Sequence, residues 1–511
     1  MKDMVFDFVL RATGGKTRVA EICASTVEDL DGGDVCIRLK DGEAEALGEA
    51  PEVVSFVGGD VDVDSVVTPF VVVGDLLYTR RNWFYERNVG DTVRRMIRNV
   101  SQDDVVLPDT DFYNRLRGEQ RAAVIAMCKA QFSILTGGPG TGKTHTIARA
   151  VKYLQEANPK MRLCLAAPTG KAAARMVESM AKAGGVAEQA VTIHSLLGVN
   201  PGLMTVRHDK SSPLPCDWLI VDEASMIGLS MMSKLLDALP STCRLTLVGD
   251  VDQLASVERG RVFGDLCRMQ GVSLSRLEES ARFRPNEDIA RLANAVNAGR
   301  ADDALALLKS DSPLVKYVDL ASVQPFEPSE WPGFEALLGE KFAALRGCKT
   351  AAEALEHVND VRILCAVRKG PYGVERMNDF VNDLLGRRCP VPMMITQNDR
   401  TLGVANGDVG VIMPGEASVL YVPGRDAPRS IRVELLPNME KAFASTVHKS
   451  QGSEFRDVVM VLPPNGENPL LTREILYTGI TRTKGKVYLH GGDESVKLCC
   501  ERKVERVSGL S

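Results

Sequence analysis

One octapeptide constrains this chain more than anything else in it. Gly137, Gly138, Pro139, Gly140, Thr141, Gly142, Lys143 and Thr144 follow the apolar run SILT (133–136) and precede the helical pattern HTIARAVKYL. Glycines let backbone N–H groups turn inward around an anion, and the helix N-terminus adds its positive end. Lys143 is then placed to reach the β- and γ-phosphates of a nucleotide, and the Thr144 hydroxyl to ligate Mg²⁺. Strand, loop and helix in this order predict a phosphate-binding loop rather than a glycine-rich turn.

A second motif gives the loop a reaction. The apolar run WLIV (218–221) delivers Asp222 and Glu223. In open α/β sheets ligands bind beyond the carboxyl ends of the strands, so this pair is expected beside the phosphates. Asp222 is suited to hold Mg²⁺ through water and Glu223 to polarise the attacking water. Together with the loop, the pair predicts nucleotide hydrolysis.

Further apolar runs, LCLAA (163–167) and LTLVG (245–249), have the length of buried parallel strands. A later set, RILCAV (362–367), DVVMVLP (457–463) and KVYLHG (486–491), repeats the pattern. The fold class expected is α/β with parallel sheets. A turn-rich, Val/Ile-rich stretch at about 393–441 reads as a small β-barrel inserted in the second unit. The organisation expected is an N-terminal domain over 1–110, a first lobe over 111–272 and a second over 273–511.

Charge sharpens these boundaries. The 511 residues carry a net charge of −5, which by itself argues against a polyanionic partner. Residues 1–110, however, hold 12 Lys or Arg against 21 Asp or Glu, leaving 50 against 46 for the remainder. The excess of acid is concentrated in the N-terminal block, and local charge is what a binding groove uses. The chain's opening lacks the apolar core of a secretory signal, and the most apolar stretch, 53–78, is interrupted by aspartates. The twelve cysteines include no C-x-x-C pair, so reduced thiols in a cytoplasmic protein are expected.

Nine further segments occur in an order that resembles the superfamily 1 DNA helicases and, within them, the RecD-type subunits of RecBCD helicase–nucleases. LRGEQRAAV (116–124) resembles the adenine-recognition motif, with Gln120 reading the base. APTGKAAARM (167–176) and TIHSLLG (192–198) resemble motifs that meet single-stranded DNA through Pro168, Thr169 and His194. LVGDVDQLASVERG (247–260) supplies Gln253 as γ-phosphate sensor, supported by Asp250, and LEESARFRPN (277–286) supplies Arg282. CAVRKGPYGVERMN (365–378) and NDRTLGVANGDVGVI (398–412) carry family-specific wording, the latter with Asn406 on the DNA side. FASTVHKSQGSEF (443–455) matches DNA-facing positions at Thr446 and His448, and the nucleotide-coupling turn at Gln451, Gly452 and Glu454. TREILYTGITR (472–482) ends on Arg482, the second arginine finger.

The resemblance implies two RecA-like motor lobes, an SH3-like inserted barrel, ATP with Mg²⁺, single-stranded and duplex-end DNA, and 5′→3′ translocation. It implies RecB- and RecC-type partners in double-strand-break repair and recombination. Three departures stand out: Ser195 where an arginine is common, Ala281 where an aromatic is common, and His145 after the phosphate loop. Segment 200–217 resembles a strand-separating pin, and a plain connecting loop fits it equally. The alternatives are a stand-alone RecD-type helicase, a relaxase-helicase fragment, or a regulatory subunit with residual ATPase. No cluster of carboxylates with a lysine suggests a nuclease centre. The acidic block is the expected docking region. Trp83, Phe84 and Tyr85 read first as a helix packed on its own domain, since aromatics are ordinary core residues, and otherwise as anchors for a partner.

Overall fold

The computed structural model describes residues 1–511 except 59–60, 103, 185–188, 201–204, 279–287, 322–326, 400, 425–426, 437, 465–467 and 511. Two sheets are wholly parallel. The first runs, in spatial order, Ser273–Leu277, Phe132–Gly137, Arg244–Gly249, Trp218–Val221, Leu163–Ala167, Val191–Thr192. Its central strands are buried on both faces, which is why they read as unbroken apolar runs. Polar side chains inside this core are paired: Trp218 Nε1 donates to Thr246 Oγ1 at 3.0 Å, which also meets Ser133 Oγ at 2.9 Å.

The second sheet runs Val315–Asp319, Val487–Gly491, Asp457–Val461, Val361–Cys365, Ala444–Thr446. Between its strands, residues 391–441 form a five-stranded antiparallel sheet with a small core of Ile395, Val404, Leu420, Val422 and Ile431. The strand Ser273–Leu277 belongs to the first sheet, so that unit extends past the boundary expected at residue 272.

The N-terminal region pairs the helices Lys2–Ala12 and Thr17–Leu30 with a four-stranded sheet built from residues 37–79. Its helix Arg80–Ile97 leaves that sheet and lies on the helix Leu229–Asp237, where Asn88 Nδ2 donates to Ser233 Oγ at 2.9 Å and Asp237 Oδ1 at 3.0 Å. Trp83 therefore follows the packed-helix reading and not the anchor one. It is buried in a core shared with the first lobe, because the face of its helix that carries Val89, Val93 and Met96 carries it too. Phe84 and Tyr85 are half-buried.

Residues 502–510 form a strap across all three parts. On the second lobe, the carbonyl of Arg502 accepts from Arg473 N at 2.8 Å, and Val504 N donates to Glu474. The Val504 carbonyl accepts from Arg261 of the first lobe at 3.2 Å, and Arg506 donates to the carbonyls of Glu258 and Gly260. Val507 pairs with Asp34 and Val35 of the N-terminal region. Glu86 then accepts from Ser508 Oγ at 2.9 Å and Gly509 N at 3.0 Å, and Leu510 is buried beside it. All twelve cysteines are free thiols. No described helix is long and apolar enough to cross a membrane.

Candidate active site

The phosphate loop spans Gly137 to the helix Lys143–Ala157, with left-handed backbone at Gly140 (φ 77°) and Gly142 (φ 88°). A methyl group at Gly142 would fall 2.6 Å from Gln120 Nε2, so only glycine serves there. Lys143 Nζ donates to the carbonyls of Gly137 (2.6 Å) and Gly138 (3.1 Å), and Thr141 Oγ1 also donates to Gly138 O. Gln120 is buried behind the loop. Its Nε2 donates to Thr141 O at 3.1 Å, joined there by Arg117 at 2.7 Å, and its Oε1 accepts from Arg117 N.

A cavity of about 330 Å³ is lined by Pro139, Gly140, Gly142, Lys143, Thr144, Asp222, Glu223, Asp250, Gln253, Gly452, Glu454 and Arg482. The sequence-expected catalytic residues thus converge, apart from Arg282, which lies outside the described residues. Burial and the adjacent Glu223 push the Asp222 carboxyl upward, against the pull of Lys143. Asp222 Oδ1 accepts from Glu223 N at 2.8 Å. Glu223 itself sits at φ 52°, ψ 39°, the one non-glycine among the described residues with a positive φ. His145, following the loop's Thr144, is kept neutral: burial and then Arg149 and Arg117 lower it to about 4.

The far wall comes from the second lobe. The helix Arg473–Thr481 and the following Arg482 face the first lobe across a run of hydrogen bonds. Tyr477 OH donates to Asp250 Oδ2 at 3.1 Å, which also accepts from Gln253 Nε2 at 3.0 Å. Gln253 Oε1 in turn accepts from Arg482. Leu254 N donates to Thr478 Oγ1, and Leu254 O accepts from Gln451 Nε2. Burial raises Asp250 and lowers Arg482, so both ionised forms depend on these contacts and on opposite charges nearby.

A second pocket, about 240 Å³, brings together Pro168, Thr169, His194 and, from the other lobe, Gln451. Thr169 Oγ1 caps its helix by accepting from Ala172 N at 3.2 Å, and His194 is exposed. Thr446 and His448 are half-buried and do not line this pocket. Thr446 Oγ1 accepts from Lys449 N, opening the turn that leads to Gln451. Burial, then Arg506, lowers His448. Asn406 is exposed on a loop of the insert whose neighbour Ala405 lies against Gly170, a methyl there falling 3.1 Å from its Cβ.

Two residues went unread in the sequence. Tyr477 supports Asp250, and Arg175 lines the cavity while contacting Gly452 O at 2.7 Å. Both sit inside segments whose other letters drew the attention. Residues 201–204 of the expected pin lie outside the described residues. The segment's described start is a bridge between Asn200 and Thr205.

A two-lobed α/β fold with a phosphate loop on one lobe and an arginine facing it from the other defines the class of motor nucleotidases. An AAA domain model matches residues 120–259, and a UvrD-like helicase C-terminal domain model matches 441–490. RecBCD enzyme subunit RecD of Mycolicibacterium smegmatis is 38% identical over 470 residues, covering 86% of this chain and 82% of that protein. The RecD subunit of Haemophilus influenzae is 34% identical, covering 76% and 71%. The ATP-dependent RecD2 DNA helicase of Deinococcus radiodurans is 29% identical, covering 76% of this chain and 51% of that protein. A crystal structure of Pif1 helicase from Candida albicans is 17% identical at a TM-score of 0.41, covering 75% and 96%. The chain belongs to the RecD family of superfamily 1 helicases.

Proposed function

We propose that this chain is an ATP-dependent DNA helicase, the 5′→3′ motor subunit of a RecBCD-like assembly acting in double-strand-break repair and recombination. The observation that carries the reading is the single cavity in which Lys143, Asp222, Glu223 and Gln253 of one lobe meet Arg482 of the other. Lys143 binds the phosphates, Glu223 orients the attacking water, and Arg482 neutralises charge developing on the γ-phosphate. Because Arg482 reaches Gln253 across the lobes, hydrolysis and lobe closure are joined. The polarity comes from the family alone.

Thr144 and Asp222 offer oxygen donors at the cavity wall, which suits a hard cation that also binds phosphate and water. Mg²⁺ held there would neutralise charge on the β- and γ-phosphates. Pro168, Thr169 and His194 on one lobe, with Asn406, Thr446 and His448 on the other, grip a single strand through its backbone, largely without sequence preference. We read residues 391–441 as the SH3-like insert that presents Asn406. DNA-stimulated ATP turnover in Lys143→Gln against wild type tests the motor: loss of at least 100-fold is expected, and equal rates sink it.

RecB- and RecC-type subunits are the proposed partners, docking on the acidic N-terminal region. Its helix Lys2–Ala12 exposes Met4 and Phe8, one turn apart, and these replace Trp83 as candidate anchors. Removing residues 1–105 would also strip the helix Arg80–Ile97 from the first lobe's core. Phe8→Asp is the cleaner test, read as loss of co-purification with both partner types. Retained assembly counts against the docking site.

A further inference from the structure

The helix Gly170–Lys182 touches both ligand-facing regions. It starts at Thr169, on the strand-facing pocket, and six residues later Arg175 lines the nucleotide cavity. At 1.5 Å rise per residue these points lie about 9 Å apart on one rigid element. Arg175 also reaches the second lobe: one guanidinium nitrogen donates to Gly452 O at 2.7 Å and the other pairs with Glu454 Oε2 at 2.8 Å. Ala172 packs under the same turn, 3.6 Å from where a methyl at Gly452 would stand. Glu454 is shared with Lys484 at 3.2 Å.

The pair is suited to exchange rather than to holding the lobes shut. The Arg175 side chain is 36% exposed, and an ion pair so placed contributes about 1 kcal/mol or less. A guanidinium fork matches carboxylate and phosphate equally well. We infer that Arg175 is a positioning residue that couples nucleotide occupancy to strand grip. Phosphate oxygens in the cavity compete with Glu454 for its guanidinium, and the helix carries the change to Thr169. This rests on the reading that the cavity takes ATP and the cleft single-stranded DNA.

The test uses the full chain and a mixed-sequence single-stranded oligonucleotide, with Kd measured with and without a non-hydrolysable ATP analogue. The ratio of the two values is the coupling between the sites, and linkage requires the analogue's affinity to show the same ratio. In Arg175→Ala the ratio is expected to fall to within twofold of one. Arg175→Lys, which keeps charge without the fork, should lie between. Glu454→Gln alters the other partner and carries the same test if the alanine variant does not fold. A wild-type ratio retained within twofold in these variants overturns the inference, as does a ratio of one in the wild type. A purely structural ion pair would change melting temperature and leave the ratio alone. Wild type that binds neither DNA nor analogue overturns the functional reading, and the inference with it.

Discussion

Glu223 is held where side-chain-bearing residues seldom go, at φ 52° and ψ 39°. For an L-residue other than Gly, Asn or Asp, that conformation costs about 1–2 kcal/mol. It turns the residue after Asp222 out of the strand and onto the cavity wall. Both Glu223→Gly and Glu223→Ala should abolish turnover, but the glycine variant is expected to be more stable by about 1 kcal/mol, since glycine adopts this backbone freely. Denaturant melts of the two variants compare them directly, and an alanine variant as stable as the glycine one would refute stored strain. The acidic pair was legible because an apolar strand delivers it. The strain was not, because nothing about a glutamate announces a left-handed backbone.

Helix Arg473–Thr481 is the element on which the two lobes meet, and Glu474 to Thr481 are all buried. Its sequence was legible for Arg482 and silent on Tyr477, whose hydroxyl serves a carboxylate 227 positions earlier in the chain. Tyr477→Phe leaves buried Asp250 one donor short, at a cost of about 1–3 kcal/mol. The expected readout is a lower unfolding midpoint with the fold retained; an unchanged midpoint would mean that water replaces the hydroxyl. Among strands, the runs buried on both faces could be read as sequence. Ser273–Leu277 could not, because an edge strand alternates exposed and covered residues and looks like a loop in composition. Trp83 was open to two readings, packed helix or anchor, because aromatics mark cores as often as interfaces, and its burial selects the first. Trp83→Ala should cost about 3–5 kcal/mol, the toll of a large cavity. Phe8→Asp on the exposed face should stay within about 0.5 kcal/mol of wild type. Thermal melts of both variants separate core from surface.

At the scale of the whole molecule, the strap 502–510 makes one body of regions whose compositions look independent. Its carboxylate clasp, Glu86, is raised by burial despite donors from Tyr78 (2.8 Å), Ser508 and Gly509, and the nearby Asp265 raises it further. A carboxyl raised above its unfolded value of about 4.3 stabilises the fold fully below that value, and the contribution is lost as pH rises through the folded one. Wild type should therefore lose melting temperature more steeply than Glu86→Gln, which has no charge to bury, as pH rises from about 4.3. Parallel curves would refute it. No sequence pattern marks this contact, because it joins a glutamate to a serine and a glycine more than 400 residues away.

That distance along the chain is also a distance in time. Synthesis delivers the helix carrying Glu86 and Trp83 early and the residues that close over it late, so a nascent chain holds a buried-to-be carboxylate without two of its donors until residue 509 has emerged. The N-terminal sheet has its own small core around Val19, Phe70 and Leu77 and need not wait. The far face of Arg80–Ile97 must. The part of the molecule made first is completed last.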